Sequence, residues 1–288
     1  MANVVINIGG YTIVQRLGYG ARSTIYLATD DQTKDKVAVK RVIYEKAEDA
    51  RIFEQVETEY KVANLIDHPY IRKCYKLKKI RSMLKVRELI LAMEYFDGVS
   101  LEDGPTLSLV DVLLVFRMVA TALNAMHQHG FVHCVIKPNN ILINKSGSIK
   151  IIDLGQSCRI GTTKQRIQGT PDYIAPEQVM RKPLGPKTDI FNLGATMYWA
   201  LTGHNVPTMI PKKNAGGLAA PVPEPCKTPH KIKKLIPIEI SALVMDCVKD
   251  DPVNRPQNML SIITRLDEMI HDLIGDKIKV LKNGSSNN

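Results

Sequence analysis

The sequence HCVIKPNN occupies residues 133–140, and the tripeptide DLG follows it at residues 153–155. Asn140 and Asp153 are thirteen positions apart, on either side of a short apolar hairpin. An asparagine and an aspartate in these places can converge on Mg²⁺, which prefers oxygen ligands and shares its shell with water and nucleotide phosphates. Each piece alone is a common turn. Together they could form a magnesium site.

A second informative stretch, VAVK at residues 37–40, ends on a lysine. The apolar residues predict a buried strand, and a lysine that leaves such a strand needs an anion. Phosphate oxygens or a carboxylate from the following helix could supply it. Glu59 is the best candidate carboxylate, with Glu54 and Glu57 as competitors. The alternative is that Lys40 extends to solvent and that Glu59 lies on a solvated helix face.

The turn Gly18-Tyr19-Gly20-Ala21-Arg22-Ser23 precedes this strand, and the strand residue Ile25 follows the turn. Glycines let the backbone approach phosphate oxygens because they carry no Cβ. The glycine motif of dinucleotide-binding proteins opens a helix, which this turn does not. A plain hairpin turn is the alternative interpretation.

Composition limits the class of protein. The chain has 288 residues and is 44% hydrophobic, as expected of one large domain or two lobes. Its five cysteines are odd in number and form no CxxC pair, so we predict neither a disulfide framework nor a zinc site, and reduced thiols in the cytoplasm. The first residues lack the basic and apolar regions of a secretory signal, and no eighteen-residue apolar run occurs. We therefore expect no membrane segment in this sequence.

The formal net charge of +10 raises the question of a nucleic-acid surface. The densest basic run extends from Lys73 to Arg87, and many of its charges alternate with apolar residues such as Leu77 and Ile80. This alternation predicts paired strands with one solvated face. A phosphate-binding groove is the alternative, but stacking aromatics are absent apart from Tyr75. We therefore expect no nucleic-acid partner.

The pattern changes from strands to helices near Asp97-Gly98. Before this point, β-branched runs predict strands at 11–17, 25–28, 36–42 and 89–93, with one helix at 49–66. Beyond it, apolar spacings of three and four predict a helix from Val112 to Met126 that ends at Gly130, and others at 189–201, 238–248 and 256–273. We predict an N-terminal extension at 1–10, an N-lobe at 11–93, a hinge at 94–98, a C-lobe at 99–275 and a flexible tail at 276–288.

Two further turns, Gly169-Thr170-Pro171 and Ala175-Pro176-Glu177, complete the set of motifs. In this order and at these separations, the motifs resemble the protein kinase family from about Tyr11 to Leu273. The resemblance implies the α+β, two-lobed protein kinase fold, with a small β-rich N-lobe and a larger helical C-lobe. Lys137 and Gly169-Thr170 match the Ser/Thr kinases. The implied activity is transfer of the γ-phosphoryl group of Mg²⁺-ATP to Ser or Thr hydroxyls of a protein substrate.

The resemblance also implies roles for individual residues. Lys40, paired with Glu59, would hold the α and β phosphates, and Lys137 would lie near the transferred phosphoryl group. Asn140 and Asp153 would hold the metal ions. The other positions would cover the phosphates or enclose the adenine: Gly18, Gly20, Ile25, Ala38, Met93, Glu94, Phe96 and Leu142, with Ser23 in place of the third glycine. Glu177, Arg255 and Asp189 would serve the fold.

Three positions depart from the family pattern. Val135 stands where the family has its catalytic aspartate, and its side chain cannot accept the substrate proton. We therefore expect a severe loss of transfer, with nucleotide binding largely intact. Cys134 replaces an arginine that clamps a phosphorylated activation loop in many kinases, so we expect activation to depend little on a loop phosphate. Leu154 replaces a phenylalanine, which is a mild apolar change.

Two functions follow from these residues. The first is a Ser/Thr kinase that the single residue Val135 impairs. The second is a natural pseudokinase that binds ATP as a scaffold or switch. Because the residues expected to bind phosphate, metal and substrate match the family while the base is lost, the sequence favours the first.

Overall fold

The computed structural model describes residues 6–20, 22–207, 209 and 226–284, and the chain divides into two compact units. The first unit comprises Met1–Gly98 together with Lys150–Ser157, and the second comprises Val99–Ile149 and Cys158–Asn288. The first division falls at Gly98, the last residue of the predicted hinge. Residues 150–157 differ from the prediction, which assigned them to the C-lobe.

The first unit contains a five-stranded antiparallel sheet in the order β1-β2-β3-β5-β4. Its strands are β1 (Tyr11–Gly20), β2 (Ser23–Asp30), β3 (Lys36–Ile43), β4 (Cys74–Ser82) and β5 (Lys85–Glu94). Alternating apolar residues give the sheet a buried face, because successive strand side chains point to opposite sides. Val37 and Val39 of β3 lie in one core cluster with Tyr11, Ile90 and Ala92.

The predicted N-terminal extension is attached to this sheet over its described part. Ile8 is buried in the same core cluster as Tyr11. Asn7 forms a β-bridge with Thr12. Residues 6–10 are therefore held against the sheet by this bridge and by the packing of Ile8, and residues 1–5 lie outside the described part of the chain.

The basic run forms the hairpin of β4 and β5, as its alternation predicted. Most of its cationic side chains are exposed, and two pair with carboxylates: Lys73 with Asp67, and Lys79 with Glu57. This arrangement agrees with a solvated face.

Helix α1 (Ala50–Leu65) packs against the short 3-10 turn Leu154–Gln156 of the same unit. A Cβ on Gly155 would lie 3.0 Å from the backbone oxygen of Gln55, so this approach needs a glycine. Ile151 forms a β-bridge with Ile71. These contacts explain why residues 150–157 belong to the first unit.

The second unit is mainly helical. Its helices are α2 (Leu109–Gln128), α3 (Pro176–Val179), α4 (Pro186–Thr202), α5 (Pro229–Ile232), α6 (Ile238–Cys247) and α7 (Met259–Gly284). The remaining strands of the chain are β6 (Val99–Ser100), β7 (Phe131–Val132), β8 (Ile141–Ile143), β9 (Ile149–Ile151) and β10 (Cys158–Arg159), and β9 crosses into the first unit. The short strands β6, β7 and β10 and the helices α3 and α5 were not predicted.

Helix α7 extends further than the sequence indicated. The prediction ended it at Leu273 and made 276–288 a tail, but residues 276–284 continue the helix. No proline interrupts this stretch, and a lone Gly275 costs a helix only about 1 kcal/mol. The last four positions of the predicted tail, 285–288, lie outside the described residues.

Helix α2 is long and apolar enough to cross a membrane by length and composition, and half of that stretch is buried inside the protein. Its buried side chains include Leu113, Phe116 and Leu123. Core helices of soluble proteins can be equally long and apolar, so the length and composition of α2 give only weak support for a membrane segment.

Candidate functional site

Lys40 and Glu59 form a buried ion pair in the first unit. Lys40 Nζ lies 2.7 Å from Glu59 Oε2, and the two side chains are 14% and 2% exposed. The buried residues of β3 deliver Lys40 to this position, and α1 delivers Glu59. Neither competitor takes its place: Glu57 pairs with Lys79, and Glu54 is exposed.

A second cation, Arg72, also contacts Glu59, and sequence reasoning missed it. One Arg72 nitrogen lies 3.2 Å from Glu59 Oε1, and the arginine side chain is 8% exposed. Each carboxylate oxygen of Glu59 thus has its own cationic partner. The available signal was the stretch Ile71-Arg72-Lys73-Cys74, in which the structure buries Ile71 and Cys74 on either side of the two cations.

Charges within this group shift each other's pKa. Burial lowers the pKa of Lys40, but the carboxylates of Glu59 and Asp153 raise it, and the net pKa lies above the ordinary value. Burial raises the pKa of Glu59, whereas Lys40 and Arg72 lower it, and the net pKa lies below the ordinary value. Both groups therefore remain charged near neutral pH.

Asp153 follows β9 and has a left-handed backbone, with φ of 63°. Non-glycine residues seldom adopt this conformation, and such strain concentrates at functional sites. Asp153 lines a narrow crevice together with Glu59, Arg72 and Cys74. The first unit therefore groups two carboxylates and the Arg72 guanidinium around one crevice.

The predicted phosphate-covering residues lie on the hairpin of β1 and β2. Gly18 pairs with Ile25, and Gly20 pairs with Ser23. A Cβ on Gly18 would meet nothing within 4 Å, so the surface of the hairpin is open there. Ala21 lies outside the described residues.

The predicted adenine-binding residues of the first unit lie at the end of β5 and just beyond it. Met93 is fully buried and pairs with Ala38 of β3. The Glu94 carboxylate lies 2.7 Å from Lys150 Nζ. The backbone N–H of Glu94 donates to the backbone oxygen of Lys73. Within the described residues, the backbone N–H of Phe96 has no hydrogen-bond partner and remains available as a donor.

The second unit contains the remaining predicted residues, in the loop after β7. Val135 is 5% exposed and packs in an apolar cluster with Val132, Cys134, Cys158 and Leu184. No side-chain acceptor is present at this position. The loop therefore places an apolar, packed side chain at the position where the family pattern has an aspartate.

Two other predicted residues follow in the same loop. Asn140 is buried, and its Nδ2 donates to the backbone oxygen of Val135 at 2.8 Å. Lys137 is half-buried, and no described residue forms a hydrogen bond or ion pair with its ammonium group. Leu142, on β8, is half-buried.

Comparison with known sequences identifies the family of this chain. The family described as the protein kinase domain matches residues 11–265. The chain belongs to the protein kinase family. Among its relatives are a probable serine/threonine-protein kinase of Clostridium acetobutylicum, 27% identical over 92% of this chain and 41% of that protein, and PknB of Mycolicibacterium smegmatis, 28% identical over 94% and 44%. PrkC of Bacillus subtilis is 30% identical over 68% of this chain and 31% of its own length.

These relatives support a Ser/Thr protein kinase domain with the predicted α+β fold, and the chain spans less than half the length of each of them. Their names also agree with the Ser/Thr character that Lys137 and Gly169-Thr170 indicated.

Asp189 holds the loop of this kinase domain that contains Val135. Its carboxylate is fully buried and accepts the backbone N–H groups of His133 and Cys134 at 2.9 and 2.7 Å. His127 Nε2 lies 2.8 Å from the same carboxylate. Cys134 has a left-handed backbone, with φ of 71°. The loop is thus fixed by buried hydrogen bonds to Asp189.

Arg255 and Glu177 form a second buried ion pair. Two parallel contacts of 2.8 and 2.9 Å join the guanidinium to the carboxylate. The other Arg255 donors bind backbone oxygens of Lys249, Asp250 and Lys187. Every guanidinium nitrogen therefore has a partner, as a buried arginine requires.

The predicted metal ligands fit magnesium in their chemistry. Because Asn140 donates through Nδ2, its carbonyl Oδ1 is left as an oxygen ligand. Asp153 supplies a carboxylate on a strained loop. Oxygen donors of this kind suit Mg²⁺. Within the described ranges, no group of three His, Cys, Asp or Glu side chains could hold a metal without further ligands.

Proposed function

We propose that this kinase domain binds Mg²⁺-ATP and that Val135 severely impairs transfer of the γ-phosphoryl group to Ser or Thr hydroxyls of a protein. The observation that carries nucleotide binding is the buried ion pair of Lys40 and Glu59. A buried lysine beside phosphate oxygens stabilises their negative charge, and Glu59 keeps that lysine in place. When bound, magnesium and ATP supply the phosphoryl group and the metal charge that neutralises it.

Other residues of this chain are proposed to bind the metal ions, the adenine and the transferred phosphoryl group. Asn140 Oδ1 and the Asp153 carboxylate would supply oxygen ligands to the metal ions. The Phe96 N–H and the backbone of Glu94 would bind the edge of the adenine, and Ile25, Ala38, Met93 and Leu142 would supply its apolar contacts. Lys137, whose ammonium is unpaired within the described part of the chain, neutralises charge on the transferred group.

Val135 removes the one contribution that none of these residues replaces. The acceptor hydroxyl must lose a proton, and an apolar side chain cannot take it. A positioned general base contributes roughly 10²–10⁴-fold to a rate. We expect a loss of that order, with Mg²⁺-ATP affinity unchanged or slightly higher because one carboxylate fewer faces the phosphates.

A radiolabelled phosphotransfer assay on three versions of the chain tests this function. Val135→Asp supplies a base and is expected to raise transfer by roughly 10²–10⁴-fold. Asparagine in Val135→Asn has nearly the same shape as aspartate but carries no basic carboxylate. This variant should therefore remain as slow as the parent chain. Equal rates for the Asp and Asn versions would contradict the role of Val135. Nucleotide titration of the same samples separates lost binding from lost chemistry.

The packing of Val135 favours a second candidate, a nucleotide-binding switch without transfer activity. The valine is integrated into an apolar cluster rather than left over in a polar site. A Val135→Asp version that binds ATP normally and transfers no phosphate would support the switch and refute the impaired kinase.

We further propose that the domain functions in the cytoplasm on a protein substrate. All five cysteines are free thiols in the structure, which suits a reducing compartment. Because Cys134 replaces the phosphate-clamping arginine, activity in the Val135→Asp background should survive alanine at both Thr162 and Thr163. Abolished transfer in that triple variant would show that a loop phosphate is required.

A further inference from the structure

Two cysteines of the second unit lie side by side next to Val135. Cys158 begins β10 and pairs across the strands with Val132, and Cys134 follows two residues after Val132. The Sγ atoms of Cys134 and Cys158 are 3.6 Å apart. We propose that Cys134 and Cys158 form an oxidation site that a hydroperoxide converts to a disulfide.

The surroundings give the two thiols different roles. A hydrogen bond from Cys134 lowers the pKa of Cys158 to about 7, against the effect of burial and with help from Lys164 and Thr162. The same hydrogen bond, together with burial and the charge of Asp189, raises the pKa of Cys134 well above its ordinary value. Cys158 is therefore the thiolate that attacks the oxidant, and Cys134 is the resolving thiol.

The other cysteines lack this arrangement. Burial raises the pKa of Cys74 and of Cys247 to about 12. Cys226 is half-buried, and its pKa is also raised by burial. In the described part of the chain, the pair Cys134 and Cys158 is the one sulfur–sulfur contact. Reactivity should therefore be confined to this pair.

The chemistry is balanced with one hydroperoxide. The Cys158 thiolate attacks one peroxide oxygen, the O–O bond breaks, and the departing oxygen takes a proton to leave as water or an alcohol. The sulfenic acid that results is then attacked by the sulfur of Cys134, the S–O bond breaks, and water leaves. Two thiols are oxidised to a disulfide, and the peroxide is reduced by the same two electrons.

The geometry requires only a short movement. A disulfide needs the sulfurs about 2 Å apart, so they must approach by roughly 1.5 Å from their contact distance. Cys134 lies in the loop that Asp189 holds, one residue before Val135. The disulfide would join that loop covalently to β10. Formation of the disulfide requires no phosphotransfer, so this proposal is independent of the function proposed above.

Limited treatment of the full chain with hydrogen peroxide tests the proposal by peptide mapping without reductant. The expected product has lost two of the five free thiols and two hydrogen atoms. It yields a cross-link between tryptic peptides 118–145 and 151–159, which dithiothreitol reverses. Oxidation of Cys226 without this cross-link would show that the oxidant reached the protein and that the proposal is wrong.

Serine variants assign the two roles. Cys158→Ser should leave Cys134 reduced at the peroxide dose that cross-links the parent chain. Cys134→Ser should halt at a Cys158 sulfenic acid, which dimedone traps. Cys247→Ser, at a buried and unpaired position, should form the cross-link like the parent. Dimedone labelling of Cys134 in the Cys158→Ser chain would overturn the assignment of Cys158 as the attacking thiol.

Discussion

At the scale of single residues, Glu59 has an unusual position because two cations share it. A buried charge without a partner is costly, and Glu59 has a partner for each oxygen. The same geometry leaves Lys40 and Arg72 dependent on a single carboxylate. Removing that carboxylate would leave two buried positive charges facing each other.

Glu59→Gln is therefore expected to destabilise the fold by about 3–5 kcal/mol at neutral pH, measured by denaturant unfolding. Glu57→Gln is the matched control, since Glu57 lies on the same helix in an exposed pair with Lys79. That pair should contribute no more than about 1 kcal/mol. Similar losses for the two variants would contradict the special role of Glu59.

The stability difference between the parent chain and Glu59→Gln has a defined pH dependence. The pKa of folded Glu59 lies below its ordinary value of 4.5, so its stabilisation is fully present above pH 4.5. It is lost as the pH falls through the lower pKa of the folded state. The stability difference between the parent chain and Glu59→Gln should be constant near neutral pH and should shrink in acid. A difference that grows in acid would contradict the lowered pKa.

The pair of Lys40 and Glu59 could be predicted because a lysine that ends an apolar run needs an anion, and a carboxylate of the following helix can supply it. Arg72 could not, since a single arginine beside an apolar residue is compatible with an exposed turn. The motif around Val135 was enough to show that this residue stands where the family has an aspartate. The contacts of Val135 with Cys158 and Leu184 depend on strand pairing and a loop that no local pattern specifies.

At the scale of elements, α4 and α6 approach closely at Gly194. A Cβ at this position would lie 2.4 Å from the Cβ of Cys247 and 3.1 Å from a methyl group of Val248. Neither neighbour is the far end of a long side chain, so one of the helices would have to move. Gly275 of α7 offers a comparison, because a Cβ there would meet nothing within 4 Å.

Gly194→Ala should therefore destabilise the protein by about 1–3 kcal/mol through overpacking, despite the better helix propensity of alanine. Gly275→Ala has the same chemical change without the collision, and should be neutral or stabilising by up to about 1 kcal/mol. Thermal unfolding of both variants measures the contrast. A stabilised Gly194→Ala would show that the contact between α4 and α6 is looser than described.

The longer elements could be predicted within a few residues because their apolar spacing extends over several turns, as in α1, α2 and α6. The end of α7 was missed since Gly275 resembles a stop signal. Residues 150–157, which the prediction placed in the C-lobe, lie in the first unit for another reason. Their membership in the first unit comes from pairing with Ile71 and from the contact of Glu94 with Lys150, which are distant in sequence.

At the scale of the whole molecule, nucleotide binding should appear as added stability. A ligand at 100 times its Kd stabilises the folded state by about 2.7 kcal/mol, and each kcal/mol raises Tm by about 2–4 °C in a chain of this size. Mg²⁺-ATP should therefore raise the Tm of the parent chain by several degrees.

Lys40→Met should abolish this shift while the protein stays folded, because Arg72 still pairs with Glu59. Lys36→Met is the matched control, at an exposed position on the same strand, and should retain the shift. An unchanged shift in Lys40→Met would remove Lys40 from the nucleotide site.

The first unit is assembled from two separate stretches of chain, 1–98 and 150–157. A fragment of residues 1–98 therefore cannot supply it whole. A fragment that stops at Gly98 would lose the ammonium partner of Glu94 and expose the edge at Ile71 to which Ile151 bridges. A split version of the protein, cut after Gly98, would have to recover residues 150–157 from its other half. Recovery of the folded protein from two such fragments would therefore test whether residues 150–157 can rejoin residues 1–98 without a covalent link.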